Sequence, residues 1–200
     1  MKDMNRIVFA TGNKGKIREI REIMDGLGFE IVTMKEAGFD GDIEEGADSF
    51  AANSEIKAKA VWAKTGGVVL ADDSGLVIDC LGGEPGVLSA RYMEGHSYEE
   101  KNANLIERVN QAGGARTARF VADICAVLPD GSVEHTQKTM EGEIAEKPAG
   151  DGGFGYDPIL YLPEYGKTSA EITEEEKNAI SHRGKALRAM REILVNKLAK

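Results

Sequence analysis

Two periods of apolar residues organise this chain, one of about two residues and one of about 3.6. The run RIVFA over 6–10 has the length and composition of a buried strand. Apolar positions then fall at Ile17, Ile20, Ile23, Met24 and Leu27. That spacing predicts a helix, closed by Gly26 and Gly28. A second strand is expected over 30–33, followed by an acidic loop over 40–48. Ser49 is a candidate cap for a helix running through Trp62 to Gly66. Strands are predicted over 68–71 and 76–81, joined by a turn at 72–75, with a loop over 82–86. Residues 98–111 have helical spacing. Two strands, 119–128 and 132–140, flank Pro129-Asp130-Gly131, a hairpin signal. A Gly-rich stretch covers 148–158. The segment 174–200 reads as one or two helices joined near Ser181.

Strands alternating with helices, then a hairpin, predict an α/β fold with a mixed sheet. No internal repeat, low-complexity tract or linker interrupts the 200 residues. One catalytic domain over 1–200 is therefore expected.

Composition narrows the function. The formal net charge is −9, which argues against a nucleic-acid backbone as partner. A local group of cations or a metal still permits a small anionic ligand. Cys80 and Cys125 each lie in an apolar run and read as buried free thiols, which suits a reducing compartment. The N-terminus lacks a signal-peptide core, and no stretch approaches the roughly 18 apolar residues of a membrane span. A cytoplasmic location without a membrane partner is expected.

Four segments contain candidate chemistry. Thr11-Gly12-Asn13-Lys14-Gly15-Lys16 joins the first strand to the first helix. Such an entry offers free N–H groups and the positive helix end to phosphate, although the same residues also make an ordinary βα turn. Two pairs of acids follow, Glu44 and Glu45 in the acidic loop and Asp72 and Asp73 after a buried strand. Neighbours at a strand end point in opposite directions, so one aspartate faces a site while the other braces the turn. Carboxylates from separate loops suit Mg²⁺, but Asp-Asp-Ser-Gly is also turn chemistry. The glycine loop over 150–158 holds Phe154 and Tyr156, either as a stacking platform for a base or as anchors of a surface loop. Last, Lys177, His182 and Arg183 offer donors beside a helix start at Ser181, within a run that also reads as a charged helix face. His96 and His135 have no companion at metal-ligand spacing, and Trp62 reads as packing.

Taken together, the stretches ATGNKGK (10–16), IEEGADSFAANSEIKA (43–58), LADDSGLVIDCLGGEPGVLSARY (70–92), GDGGFGYDPILY (150–161) and AEITEEEKNAISHRGKAL (170–187) resemble the inosine triphosphatase (Ham1-like) family. Its members hydrolyse non-standard purine nucleoside triphosphates, and the stretches occur in the family's order over nearly the whole chain. The resemblance implies a long twisted mixed sheet with flanking helices, in two lobes around a central cleft. It implies Mg²⁺-dependent hydrolysis of ITP, dITP or XTP to monophosphate and pyrophosphate, by a homodimer that cleanses the nucleotide pool. By resemblance, Thr11, Gly12, Asn13, Lys14, Gly15 and Lys16 match the phosphate-binding entry. Glu45 and Asp73 match the metal acids, and Asp73 also matches the proton acceptor. Ser74 matches a substrate contact. Phe154, Gly155, Tyr156 and Asp157 match the base-binding loop, and Lys177, His182 and Arg183 match residues that read the purine and hold the nucleotide. One departure is Ala52, where the family commonly has a glutamate, and another is Glu45-Gly46-Ala47 in place of Glu-Thr-Gly. Two rivals remain: a pyrophosphatase for modified pyrimidine or methylated nucleotides, and a nucleotide-binding sensor without catalysis.

Overall fold

The computed structural model describes residues 6–25 and 28–198. Gly26 and Leu27, expected at the end of the first helix, lie outside the described residues. The chain divides into two compact units. The first runs to Asp73 and adds Ala122–Lys138 and the segment from Arg183. The second comprises Ser74–Val121 and Thr139–His182. Among the described residues, seven strands hydrogen-bond in the order β2-β1-β3-β4-β5-β6-β7. They are β1 (Arg6–Phe9), β2 (Glu30–Thr33), β3 (Val68–Ile78), β4 (Thr117–Val127), β5 (Val133–Ile144), β6 (Leu160–Leu162) and β7 (Lys167–Thr168). β1 pairs in parallel with both β2 and β3, whereas β6 pairs antiparallel with β5 and β7. The sheet is mixed, as expected.

Strand alternation builds the first unit. On β1, β3 and β4, residues Ile7, Phe9, Val68, Leu70, Ile124 and Ala126 face one way. They pack on Ile20 and Met24 of α1 (Lys14–Met24) and on Ala186, Leu187, Met190 and Leu194 of α5 (His182–Leu198). The alternate residues Val8, Val69, Ala71, Cys125 and Val127 face the other way, onto Ala58 and Val61 of α2 (Phe50–Thr65). Three layers result, helices on both faces of a sheet. Ser49 caps α2 by accepting from the Ala52 N–H, and Gly66, at φ 60°, ends it.

In the second unit α3 (Tyr98–Ala112) starts at a capping box, Ser97 with Glu100. It buries Leu105, Ile106 and Val109 against Leu76, Ile78, Phe120, Ile144 and Leu160. α4 (Glu174–Ile180) has the same kind of start, Thr173 with Glu176. Ser181, in extended backbone, separates α4 from α5.

One predicted break is absent. Residues 72–75 form no turn: β3 continues through Asp72, Asp73, Ser74 and Gly75 to Ile78, and a short 3-10 turn over Asp79–Leu81 replaces the predicted strand end. The hairpin expected around Pro129-Asp130-Gly131 is present, closed by Leu128 N–H donating to Ser132 O at 2.9 Å. Cys125 is buried, Cys80 is half-buried, and both thiols are free. No helix among the described residues is long and apolar enough to cross a membrane.

Leu70 is fully buried in the first unit, while Val195 on α5 is 46% exposed. Leu70→Ala is expected to lower the unfolding free energy by about 2–5 kcal/mol. Val195→Ala is expected to stay within about 0.5 kcal/mol of the parent. Urea unfolding followed by circular dichroism measures both.

Candidate active site

Because β3 runs straight through 72 and 73, its two aspartates project to opposite faces. Asp72, on the α1/α5 face, is completely buried. Its Oδ1 forms an ion pair with Lys16 Nζ, and its Oδ2 accepts from Arg183 Nε at 3.1 Å. Arg183 is held in turn by Glu19 of α1. Burial alone would push the Asp72 carboxyl up, but the charges of Arg183 and Lys16 prevail and hold it well below the usual carboxylate range. Burial, partly offset by Asp72, lowers the pKa of Lys16.

Asp73, on the α2 face, has the opposite balance. Its Oδ1 accepts from Lys57 Nζ at 3.1 Å, while its Oδ2 is buried and has no hydrogen-bond partner among the described residues. Burial raises its pKa, the charges of Lys57 and Lys16 only partly oppose this, and Glu45 raises it further. Lys57 also reaches Glu45 Oε1 at 3.2 Å and donates to the Asp72 carbonyl at 2.7 Å. One ammonium therefore gathers the acidic loop and the strand. One helical turn earlier, Asn53 clamps that loop, accepting from the Ala47 N–H at 3.0 Å and donating to Ala47 O at 3.2 Å.

Glu45 and Asp73 are thus brought together as the sequence predicts. Lys57 and Asn53 were missed. Both stand in the segment 43–58, where the i,i+4 spacing puts them on one face of α2, but nothing local marks that face as turned toward the acids.

The set suits a hard divalent cation. Around β3, Lys16, Lys57 and Arg183 are paired with Glu19, Glu45, Asp72 and Asp73. Asp73 Oδ2 has no hydrogen-bond partner among the described residues, and the shared Lys57 ammonium holds Asp73 and Glu45 together. Among the described residues no group of three or more His, Cys, Asp or Glu could enclose a metal. The protein would supply two carboxylates, with water and phosphate oxygens completing the shell, as Mg²⁺ prefers.

In the strand-to-helix entry over 11–16, the predicted phosphate site, side chains cap the backbone. α1 begins at Lys14, and Asn13 caps it, its Oδ1 accepting from the Lys16 N–H at 3.1 Å. The Thr11 hydroxyl accepts from the Asn13 N–H at 3.2 Å. Gly12 and Gly15 lie in the same entry, beside Lys14, which is exposed.

Within the second unit, Asp157 organises the glycine loop. Its Oδ2 accepts from the Phe154 N–H at 2.8 Å and from Lys177 Nζ at 2.7 Å, and its Oδ1 accepts from the Ser169 hydroxyl at 2.8 Å. Lys177 Nζ also lies 5.2 Å from the Phe154 ring centre. Gly153, at φ 65°, has no room for a Cβ, which would fall 2.1 Å from Asp157 Oδ2. Asn102 of α3 donates to Gly155 O at 3.2 Å. Of the two aromatics Phe154 is half-buried and Tyr156 buried. Tyr156 belongs to the core, its hydroxyl donating to Ser89 O at 2.5 Å and its ring meeting Tyr98 edge-on.

The remaining predicted residues divide between the units. Lys177 joins Phe154 and Asp157. Buried His182 stacks against Phe120, the ring centres 5.1 Å apart. Arg183 instead belongs to the ion network of Asp72, because the first turn of α5 sends its side chain toward Glu19 and β3. Ser74 is a half-buried residue of β3.

A family model described as the Ham1 family matches residues 7–193. A dITP/XTP pyrophosphatase from Thermus thermophilus is 49% identical over 188 residues, which cover 94% of this chain and 90% of that protein. A dITP/XTP pyrophosphatase from Bacillus subtilis is 40% identical over 195 residues, covering 96% and 98%. The solved structure of a HAM1 protein from Coxiella burnetii superposes with a TM-score of 0.87 at 37% identity, covering 96% of this chain and 98% of that one.

Opposite pKa shifts at neighbouring aspartates have opposite consequences for stability. The depressed carboxyl of Asp72 stabilises the fold above the unfolded pKa of about 3.9, and that contribution is lost as pH falls through the lower folded value. The raised carboxyl of Asp73 binds its proton more tightly when folded, so its ionisation costs stability above the folded pKa. At pH 7, Asp72→Asn is expected to destabilise by about 3–5 kcal/mol, since Lys16 loses its carboxylate and Arg183 keeps only Glu19. Asp73→Asn is expected to leave stability equal or higher, within about 1 kcal/mol. Chemical denaturation of both variants, repeated from pH 7 down to about pH 2 so that it passes well below the unfolded carboxylate pKa, measures the two signs.

Proposed function

As the chain belongs to the Ham1 family, we propose that it hydrolyses non-standard purine nucleoside triphosphates, ITP, dITP and XTP, to the monophosphate and pyrophosphate. The observation carrying this reading is Asp73, a buried carboxylate of raised pKa with one oxygen held by Lys57, which also holds Glu45, and the other without a hydrogen-bond partner among the described residues.

A carboxylate made more basic by burial is a better proton acceptor. Asp72 is unsuited to that role, since both its oxygens are taken by Lys16 and Arg183. In the proposed reaction a water oxygen bonds to the α-phosphorus as the bond to the bridging oxygen breaks. Asp73 takes the water proton, and pyrophosphate leaves with the bridging oxygen. Lys57 keeps Asp73 and Glu45 in register, and the entry over 11–16 offers its N–H groups and Lys14 to the phosphates. Glu45 and Asp73 would hold Mg²⁺, which when bound neutralises phosphate charge and makes water more acidic. Ala52 contributes no third acid here.

Base recognition is assigned to the second unit. Phe154 offers a ring face for stacking, worth about 1–3 kcal/mol by analogy with single-stranded nucleic acids. Lys177 and His182 are the candidate donors to the 6-oxo group of hypoxanthine or xanthine. Adenine presents an amino donor there, so a site built around that bond discriminates strongly. Arg183, engaged by Asp72, is assigned to supporting the carboxylates rather than to contacting the base.

The deciding assay measures phosphate released from dITP, XTP and ATP with and without added inorganic pyrophosphatase, and with Mg²⁺ omitted in a control. Phosphate is expected only when the auxiliary enzyme is present, with dITP and XTP preferred. Asp73→Asn is expected to lower kcat by about 10²–10⁴-fold while the protein stays folded. Direct release of phosphate, or an unchanged rate in Asp73→Asn, would overturn the assignment.

A further inference from the structure

A second ionic group lies on the α2 face of the first unit and takes no part in the chemistry above. It joins Ser54, Glu55 and Lys59 of α2 to Asp123 of β4 and His135 of β5. Asp123 is almost completely buried. Its Oδ1 accepts from the Ser54 hydroxyl at 2.5 Å and lies 2.8 Å from His135 Nδ1. The other ring nitrogen, Nε2, lies 3.2 Å from Glu55 Oε2. Lys59 Nζ bonds the second Glu55 oxygen at 2.5 Å.

An imidazole with a carboxylate at each nitrogen can donate to both only as the imidazolium. In that state the ring is a strap between the sheet and α2. The strap meets α2 in the turn that serves the active site. Asn53 holds the acidic loop at Ala47, Ser54 and Glu55 connect to Asp123 and His135, and Lys57 holds Glu45 and Asp73. Five consecutive residues thus link the carboxylate centre to the strap.

We propose that His135 is a positioning residue: as an imidazolium bridging Asp123 and Glu55 it fixes the turn of α2 that presents Lys57, and the active centre loosens when the ring loses its proton. The activity readout rests on the pyrophosphatase reading above, whereas the titration and exchange readouts do not.

The charged groups on the ring are Asp123 from β4 and Glu55 from α2, and next to those carboxylates come Lys59 of α2 and Cys125 of β4. Burial pushes the Cys125 thiol up to about 12, so it stays neutral. Glu55 is held below its usual range by Lys59 and His135. Burial works against the charged imidazole, but the bonds to Asp123 and Glu55 outweigh it and raise its pKa. A raised histidine contributes stability that is complete below its unfolded value and disappears as pH rises through the folded one. The device is therefore closed in mildly acidic solution and opens on the alkaline side.

The test combines three readouts on the full protein from about pH 6 to pH 9. In NMR, the His135 ring, assigned with His135→Gln, is expected to titrate above about 6.5, and at a lower pH in Glu55→Gln. Hydrogen exchange of amides 53–57, corrected for intrinsic pH dependence, should lose protection as the ring deprotonates. It should stay constant in His135→Arg, whose permanent cationic fork can join two carboxylates. The kcat/KM for dITP should fall over the same range. His135→Gln should abolish that step and start roughly tenfold lower, and His135→Arg should restore the level and flatten the profile. A ring midpoint at or below the ordinary value, or a pH step that persists in His135→Gln, would overturn the proposal. If no nucleotide is turned over at any pH, the pyrophosphatase reading fails, and the ring midpoint and amide exchange still decide the strap.

Discussion

Everything in the first unit depends on an ionised carboxylate within the core. Asp72 is fully buried in the third strand, where an unpaired charge would be prohibitively costly. The chain meets that constraint with Lys16 from the first turn of α1 and Arg183 from the first turn of α5, the latter fixed by Glu19. These contacts span long stretches of sequence and set the register of two helices against one strand. Apolar packing on the same face, Ile20 and Met24 with Leu187 and Met190, tolerates some sliding. The ion network does not, because each displaced partner leaves a buried charge unmatched.

The same strand makes a different carboxylate one residue later. Asp73 also sits in a buried environment, yet it receives one shared ammonium where Asp72 receives two cations. The outcome is opposite pKa shifts at adjacent positions. Environments that push neighbouring acids apart commonly separate a structural or electrostatic group from a proton-transfer group. Here the separation follows from strand geometry alone: alternate residues face different helix layers, and the layers differ in how many cations they bring.

Much of this architecture was legible in the sequence, because its signals are local. The cap at Ser49, the helix over 98–111, the break at Ser181 and the turn around Gly131 each depend on a few adjacent residues, and each is present. The family stretches likewise identified Glu45 and Asp73, which do converge. Three features were not legible, for one shared reason. Asp-Asp-Ser-Gly has the composition of a turn, yet cations brought by α1, α2 and α5 make a continuous strand affordable there. Lys57 looks like any lysine on a helix until its carboxylate partners, from the acidic loop and β3, are known. Arg183 follows His182 directly, and nothing in that stretch announces its partners Asp72 and Glu19, which lie 111 and 164 residues away in sequence. Long-range charge pairing decided all three, and no local pattern encodes a partner.

The glycine loop shows how such pairing could shape selectivity as well as folding. Lys177 and Asp157 are both nearly completely buried and bonded to each other, so together they present no net charge beside the Phe154 ring. A base brought to that ring would meet a fixed donor rather than a diffuse positive field. Charge attracts any electron-rich edge, whereas a directed N–H distinguishes an acceptor from a donor. Asp157 also bonds the Phe154 backbone and Ser169, and Gly153 alone permits its close approach to the loop. The ring and its neighbouring donor are therefore positioned by one carboxylate. Under the proposed function, Gly153 lets that carboxylate in, and the selectivity for a 6-oxo purine follows from balancing the Lys177 charge with Asp157 rather than from adding further cations.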